Sequence, residues 1–214
     1  MMLQDRLFPA TAMPDQDWWQ ALWPDPDGVI RALRIESGMA IVDLGCGYGY
    51  FTAAIARQAA PGSVIGLDLD PAMLEQAQVA CKELTLTNCT WQLGDAMALS
   101  RLVPALVDYV LIANTFHGVP DKTAMAREIA AALKPDGRFA IVNWYPIPRE
   151  QTPVLDKPRG PGTELRMSPE QTRAAVEPAG FALEALVELP PYHYGAIFVR
   201  TQWFRTGANH GEPS

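Results

Sequence analysis

The chain has 214 residues, enough for one domain with a sizeable core, and a second full domain would be cramped. Apolar residues make up 49% of it, yet no run approaches the ~20 needed to span a bilayer. A formal net charge of -7, with scattered arginines and no Lys/Arg-rich segment, speaks against a nucleic-acid partner, whose phosphates call for a basic footprint.

The first residues are interrupted by Asp5, Arg6, Pro9 and Pro14 and form no signal-peptide core. Residues 1–36 read as a helical cap in which Trp18, Trp19 and Trp23 lie over the core or the mouth of a pocket, core packing being favoured. Strand and helix patterns then alternate, as in an α/β protein with a parallel sheet. Strands are predicted over 39–44, 63–67, 90–93, 107–113 and 138–144, with helices over 50–59, 71–84 and 121–133. Asp70-Pro71 gives the second of these helices an N-cap and a proline in its first turn. The stretch 145–167, rich in proline and glycine, reads as a long irregular connection, a lid or a linker. Ser168-Pro169-Glu170-Gln171 is a capping box that opens a last helix. Two strands, 182–189 and 195–201, follow as an antiparallel hairpin joined through residues 190–194, and residues 206–214 read as a disordered tail. The three cysteines, Cys46, Cys81 and Cys89, cannot all pair and fit reduced thiols in a cytoplasmic protein.

The sequence Asp43-Leu44-Gly45-Cys46-Gly47-Tyr48-Gly49 stands where the first strand hands over to a helix. Glycines there permit a tight turn and close approach of a ligand to the backbone. Asp68 follows at the end of the second strand, where a carboxylate can accept from both hydroxyls of a ribose. Asp95 follows the third strand and can accept from an adenine amino group, while Leu69 offers an apolar face to the ring. The dehydrogenase version of this turn is G-x-G-x-x-G, but Tyr50 occupies its third glycine position.

With these residues in place, the chain resembles the class I S-adenosylmethionine-dependent methyltransferases. The matching segments are VDLGCGYGYFT, VIGLDLDPAML, GDA, VDYVLIANTFHGVPDK and LKPDGRFAIVNW. The resemblance implies a Rossmann-like, doubly wound seven-stranded sheet over residues 37–205, mostly parallel with an antiparallel last strand. It implies S-adenosylmethionine as cofactor and methyl transfer to a small acceptor at O, N, S or C. Gly45, Cys46, Gly47 and Gly49 would border the methionine portion, with Asp43 near its ammonium group. Asp68 would hold the ribose; Leu69, Asp95 and Ala96 the adenine; and Asn114 would lie beside the methionine moiety.

Methyl transfer from a sulfonium mainly requires alignment and exclusion of water, so an obligatory catalytic residue need not exist. If the acceptor must lose a proton, His117 beyond the fourth strand is the candidate base, and a structural loop histidine is the competing reading. Trp19, Trp144, Tyr192 and His193 are candidate pocket residues, and Arg159 and Arg166 are candidate anchors for an anionic substrate. No acidic triplet for a divalent metal, converging cysteines or Asn-Pro-Pro-Tyr sequence is present, so no metal site is expected. A non-catalytic scaffold and a nicotinamide oxidoreductase are the alternatives; the intact acids argue against the first, the missing glycine against the second.

Overall fold

The computed structural model describes residues 8–201. Two short helices come first, α1 (Gln16–Leu22) and α2 (Pro26–Ala32). Four strand–helix units and a fifth strand follow: β1 (Ile41–Leu44), α3 (Tyr50–Ala59), β2 (Val64–Asp68), α4 (Pro71–Glu83), β3 (Cys89–Leu93), α5 (Leu99–Leu102), β4 (Val107–Ala113), α6 (Lys122–Ala132) and β5 (Leu133–Trp144). A small hairpin, β6 (Pro153–Val154) and β7 (Lys157–Pro158), precedes α7 (Pro169–Val176), β8 (Phe181–Leu189) and β9 (His193–Arg200).

Seven strands form one sheet in the order β3-β2-β1-β4-β5-β9-β8. The pairs from β3 to β5 are parallel, and β9 runs antiparallel to both of its neighbours. The expected Rossmann-like architecture is therefore the one observed. Alternation along the strands sends successive side chains to opposite faces. Ile41, Tyr109, Leu111, Val142 and Ile197 meet Trp23, Ile30, Phe51 and Ile55 on one face. Val42, Val110, Ile112, Phe139 and Phe198 meet Met125, Ile129 and Val176 on the other. The tryptophans of the N-terminal segment thus share an apolar core with the sheet. Among the described residues no helix is long and apolar enough to cross a membrane.

Local signals act as their chemistry requires. Asp70 Oδ1 accepts from the Ala72 amide at 2.9 Å, and Ser168 and Gln171 close the reciprocal capping box at 3.2 and 2.8 Å. α5 lies where no helix was predicted, β1 begins at Ile41, and further features differ from expectation. The fifth strand begins at Leu133, which pairs with Val107 before a register shift accommodates the turn at 134–137. Within the supposedly irregular stretch, β6 and β7 pair through Val154 and Lys157. The closing hairpin is tighter than predicted: His193 and Tyr194 already pair with Trp144 and Asn143 of β5, leaving only residues 190–192 as connection.

Candidate functional site

The strand order reverses between β1 and β4, and ligands of open α/β sheets bind outside the carboxyl ends of the strands at such a point. A cavity of about 550 Å3 lies there, a size suited to a small-molecule ligand. Its floor is made by strand ends: Asp43 on β1, Asp68 on β2, Asp95 after β3, Asn114 after β4 and Trp144 on β5. Its roof comes from residues 8–14, from Trp18 and Trp19, and from the segment carrying Arg149 and Arg159.

The glycine turn is shaped by the next strand. Gly45 and Cys46 donate their amides to the Leu67 carbonyl at 2.8 and 3.1 Å, and Gly47 donates to Asp68 Oδ2 at 2.8 Å. Gly45, Gly47 and Gly49 have φ of 75°, 53° and 85°, a left-handed region open to glycine at little cost. Gly45 and Gly47 line the cavity with Cys46, whose thiol is pushed upward in pKa by burial and by the charges of Asp43 and Asp68. Gly49 is not among the lining residues. It caps α3, and a Cβ there would stand 2.9 Å from Ala77 Cβ, so its smallness serves the approach of α3 to α4.

Asp68 is doubly held, its Oδ1 accepting from the Asp70 amide at 2.9 Å. Burial raises its pKa against these amide contacts, which favour the anion. Asp43 is 2% exposed and accepts from Thr52 Oγ1 at 2.6 Å. Burial lifts its pKa to about 7, opposed by the Thr52 bond and aided by the charge of Asp68. The consequence for stability has a definite sign. The folded chain keeps this proton to about pH 7, whereas the ordinary value of 3.8 lets the unfolded chain release it earlier. Folding is therefore opposed increasingly as pH rises from 4 to 7, by at most ~1.4 kcal/mol per pH unit, and the effect is complete above pH 7. Relative to the parent, Asp43→Asn should gain up to roughly 2 kcal/mol between pH 5 and pH 7 in urea unfolding. Parallel stability curves for the two proteins would sink this account.

Asn114 sits at φ 57° at the cavity wall, its amide N and O both buried and without a partner among the described residues. Buried amide atoms left so are costly, and a ligand can satisfy both. Leu69 and Ala96 also line the cavity; Asp95, exposed, has Oδ1 engaged by the Met97 amide at 2.9 Å.

His117 is 4% exposed, with Nε2 3.1 Å from the Ala10 carbonyl. A carbonyl can only accept, so Nε2 carries the hydrogen and Nδ1, buried and without a partner among the described residues, is the basic nitrogen. Burial holds the ring below the usual histidine range and keeps it neutral at pH 7.

Trp19 and Trp144 line the cavity, whereas Tyr192 and His193 do not. The tight hairpin explains the difference. His193 is a strand residue wedged between Trp23 and Trp144, with centroids 4.4 and 4.2 Å away. Tyr192 stacks on Trp144 at 5.9 Å and donates its hydroxyl to the Pro153 carbonyl at 2.9 Å. Both back Trp144 instead of facing the cavity. Residues 8–14 were invisible to sequence reasoning as site residues because they have no periodicity. Met13 nevertheless packs its thioether against Gly47, and Ala10 holds His117. Among the described residues, no group of three His, Cys, Asp or Glu is placed to share a metal ion.

Residues 35–168 match the protein family described as Methyltransferase domain. The chain belongs to this family. The match runs from before β1 to the N-cap of α7, so this methyltransferase domain contains every strand-end residue of the cavity floor. The demethylmenaquinone methyltransferase of Lactobacillus johnsonii is 37% identical over 119 residues, covering 52% of this chain and 46% of that protein. The ubiquinone biosynthesis O-methyltransferase of Methylococcus capsulatus is 30% identical over 137 residues, with 56% of each covered. The chain thus spans about half the length of the curated relatives it matches. A crystal structure of a SAM-dependent methyltransferase from Aquifex aeolicus superposes with a TM-score of 0.73 at 23% identity, over 86% of this chain and 94% of that one, a likeness of fold.

Proposed function

We propose that this methyltransferase domain binds S-adenosylmethionine and methylates a small-molecule acceptor. The observation that carries the reading is the convergence of Asp43, the glycine turn, Asp68 and the unpartnered Asn114 amide on one cavity at the switch point. The donor set fits this cofactor. Four carboxylates, Asp43, Asp68, Asp70 and Asp95, line the part of the cavity formed by β1, β2 and β3, suiting a cationic ligand with ribose hydroxyls better than a diphosphate. When bound, the cofactor supplies an electrophilic methyl group on a sulfonium.

In this reading Asp68 would accept from the ribose hydroxyls, and Leu69, Asp95 and Ala96 would hold the adenine. Asp43 would lie near the ammonium group, with Gly45, Cys46, Gly47 and Asn114 along the methionine portion. Trp18, Trp19 and Trp144 would exclude water from the acceptor side. His117 Nδ1, neutral and unpartnered, would take a proton from the acceptor where one must leave. The relatives are named for demethylmenaquinone and for ubiquinone biosynthesis, which favours a small acceptor over nucleic acid, as does the net charge of -7. Three free thiols favour a cytoplasmic setting.

Calorimetric titration with S-adenosylmethionine, S-adenosylhomocysteine, NAD and NADH tests the cofactor. Saturable binding of the first pair alone is expected. Binding of only the nicotinamide pair, or of none of the four to folded protein, would overturn the reading.

A further inference from the structure

Of the three arginines between β5 and α7, Arg159 and Arg166 do different things. Arg166 is 5% exposed and donates to the carbonyls of Pro161, Ile147 and Arg159 at 3.2, 2.8 and 2.9 Å and to Thr152 Oγ1 at 3.0 Å. Its guanidinium lies 4.7 Å from the centre of a Trp144 ring. It is a tie that fixes the segment on the end of β5. Arg159 is the opposite case. Its guanidinium stands 5.0 Å from the centre of a Trp18 ring at the cavity wall, and its Nε is buried with no hydrogen-bond partner among the described residues. Among the described residues no carboxylate pairs with Arg159 or with Arg149, the other cavity arginine. Arg149 donates Nε to the Gly160 carbonyl at 3.1 Å.

A guanidinium on an aromatic face with a buried, unsatisfied N–H is arranged for an incoming acceptor. Strand order separates this charge from the acidic part of the cavity. The carboxylates belong to β1, β2 and β3, whereas the arginines follow β5, across β4. The apolar surfaces of Trp18, Trp19 and Trp144 line the same cavity. We infer that the methyl acceptor is an aromatic oxyanion, its ring held by these tryptophans and its anionic oxygens by Arg159 with help from Arg149. The inference rests on the cofactor reading above only in calling the ligand an acceptor.

The test compares 2-naphthoate with its neutral isostere 2-naphthamide, titrated calorimetrically into the full chain with and without S-adenosylhomocysteine. The carboxylate should bind about tenfold tighter or better, as a charge-assisted contact to a guanidinium allows. Arg159→Gln should abolish that preference while leaving affinity for S-adenosylhomocysteine unchanged, and Arg159→Lys should restore part of it. Equal affinities, a preference that survives Arg159→Gln, or no binding of either probe at millimolar concentration would overturn the inference. Failure of S-adenosylhomocysteine to bind would instead sink the cofactor reading, and the two probes on the unloaded chain would still judge Arg159.

Discussion

Asp68→Ala is expected to weaken binding of S-adenosylhomocysteine by about 100-fold, close to 3 kcal/mol. Two losses combine. The carboxylate that would accept from the ribose disappears, and hydrogen bonds to a charged group are each worth ~1.5–3 kcal/mol. The Gly47 and Asp70 amides also lose the oxygens that now receive them at 2.8 and 2.9 Å, so the glycine turn loosens where the ligand must press against backbone. Asp68→Asn, which keeps one acceptor oxygen, should recover part of the affinity. Calorimetry on the three proteins checks this; a change below threefold in the alanine variant would remove Asp68 from the binding site.

Trp23→Ala should cost about 3–5 kcal/mol of unfolding free energy, the range for deleting a large buried aromatic. Trp23 is 1% exposed and meets Phe51 edge-on at 5.4 Å, Trp19 at 6.1 Å and His193 at 4.4 Å. Its side chain therefore joins the N-terminal helices to α3 and to the last strand. The void left behind opens beneath Trp19 and beside the ring that backs Trp144, so the cavity wall loses support as well. Urea unfolding measures the cost. A loss under 1 kcal/mol would mean that the N-terminal helices dock weakly on a sheet that folds without them.

Much of the fold was legible because the central strands β1, β4 and β5 are largely buried on both faces and read as apolar runs, while β1, β2 and β3 end at a glycine or an acid. Asp43, Asp68, Asp95 and Asn114 could be placed at strand ends for that reason, and strand ends are where the cavity lies. The rest depended on packing between distant segments. Nothing local distinguishes Arg159 from Arg166; both lie on a tryptophan face, and the difference arises because Arg166 alone finds three carbonyls. His193 looked like a turn residue because Pro190-Pro191 precedes it, yet pairing with β5 draws it into the core. Residues 8–14 form no regular helix or strand, so hydrophobic periodicity had nothing to register.

The outer edge of the sheet has a consequence for the protein in company. Among the described residues β8 is the terminal strand on that side, nine residues long, and an edge strand of such length invites a neighbouring molecule to add a strand. Two features blunt it. A bulge between Leu183 and Ala185 breaks the ladder, and Glu184 beside it gathers Arg34 and Arg138 at 3.3 and 2.7 Å into a charged cluster. Farther along the same strand Glu188 accepts from the Tyr145 hydroxyl at 2.7 Å. An irregular, ion-rich margin is a poor template for cross-molecule pairing, so the strand that ends the sheet also guards the chain against aggregation through its edge.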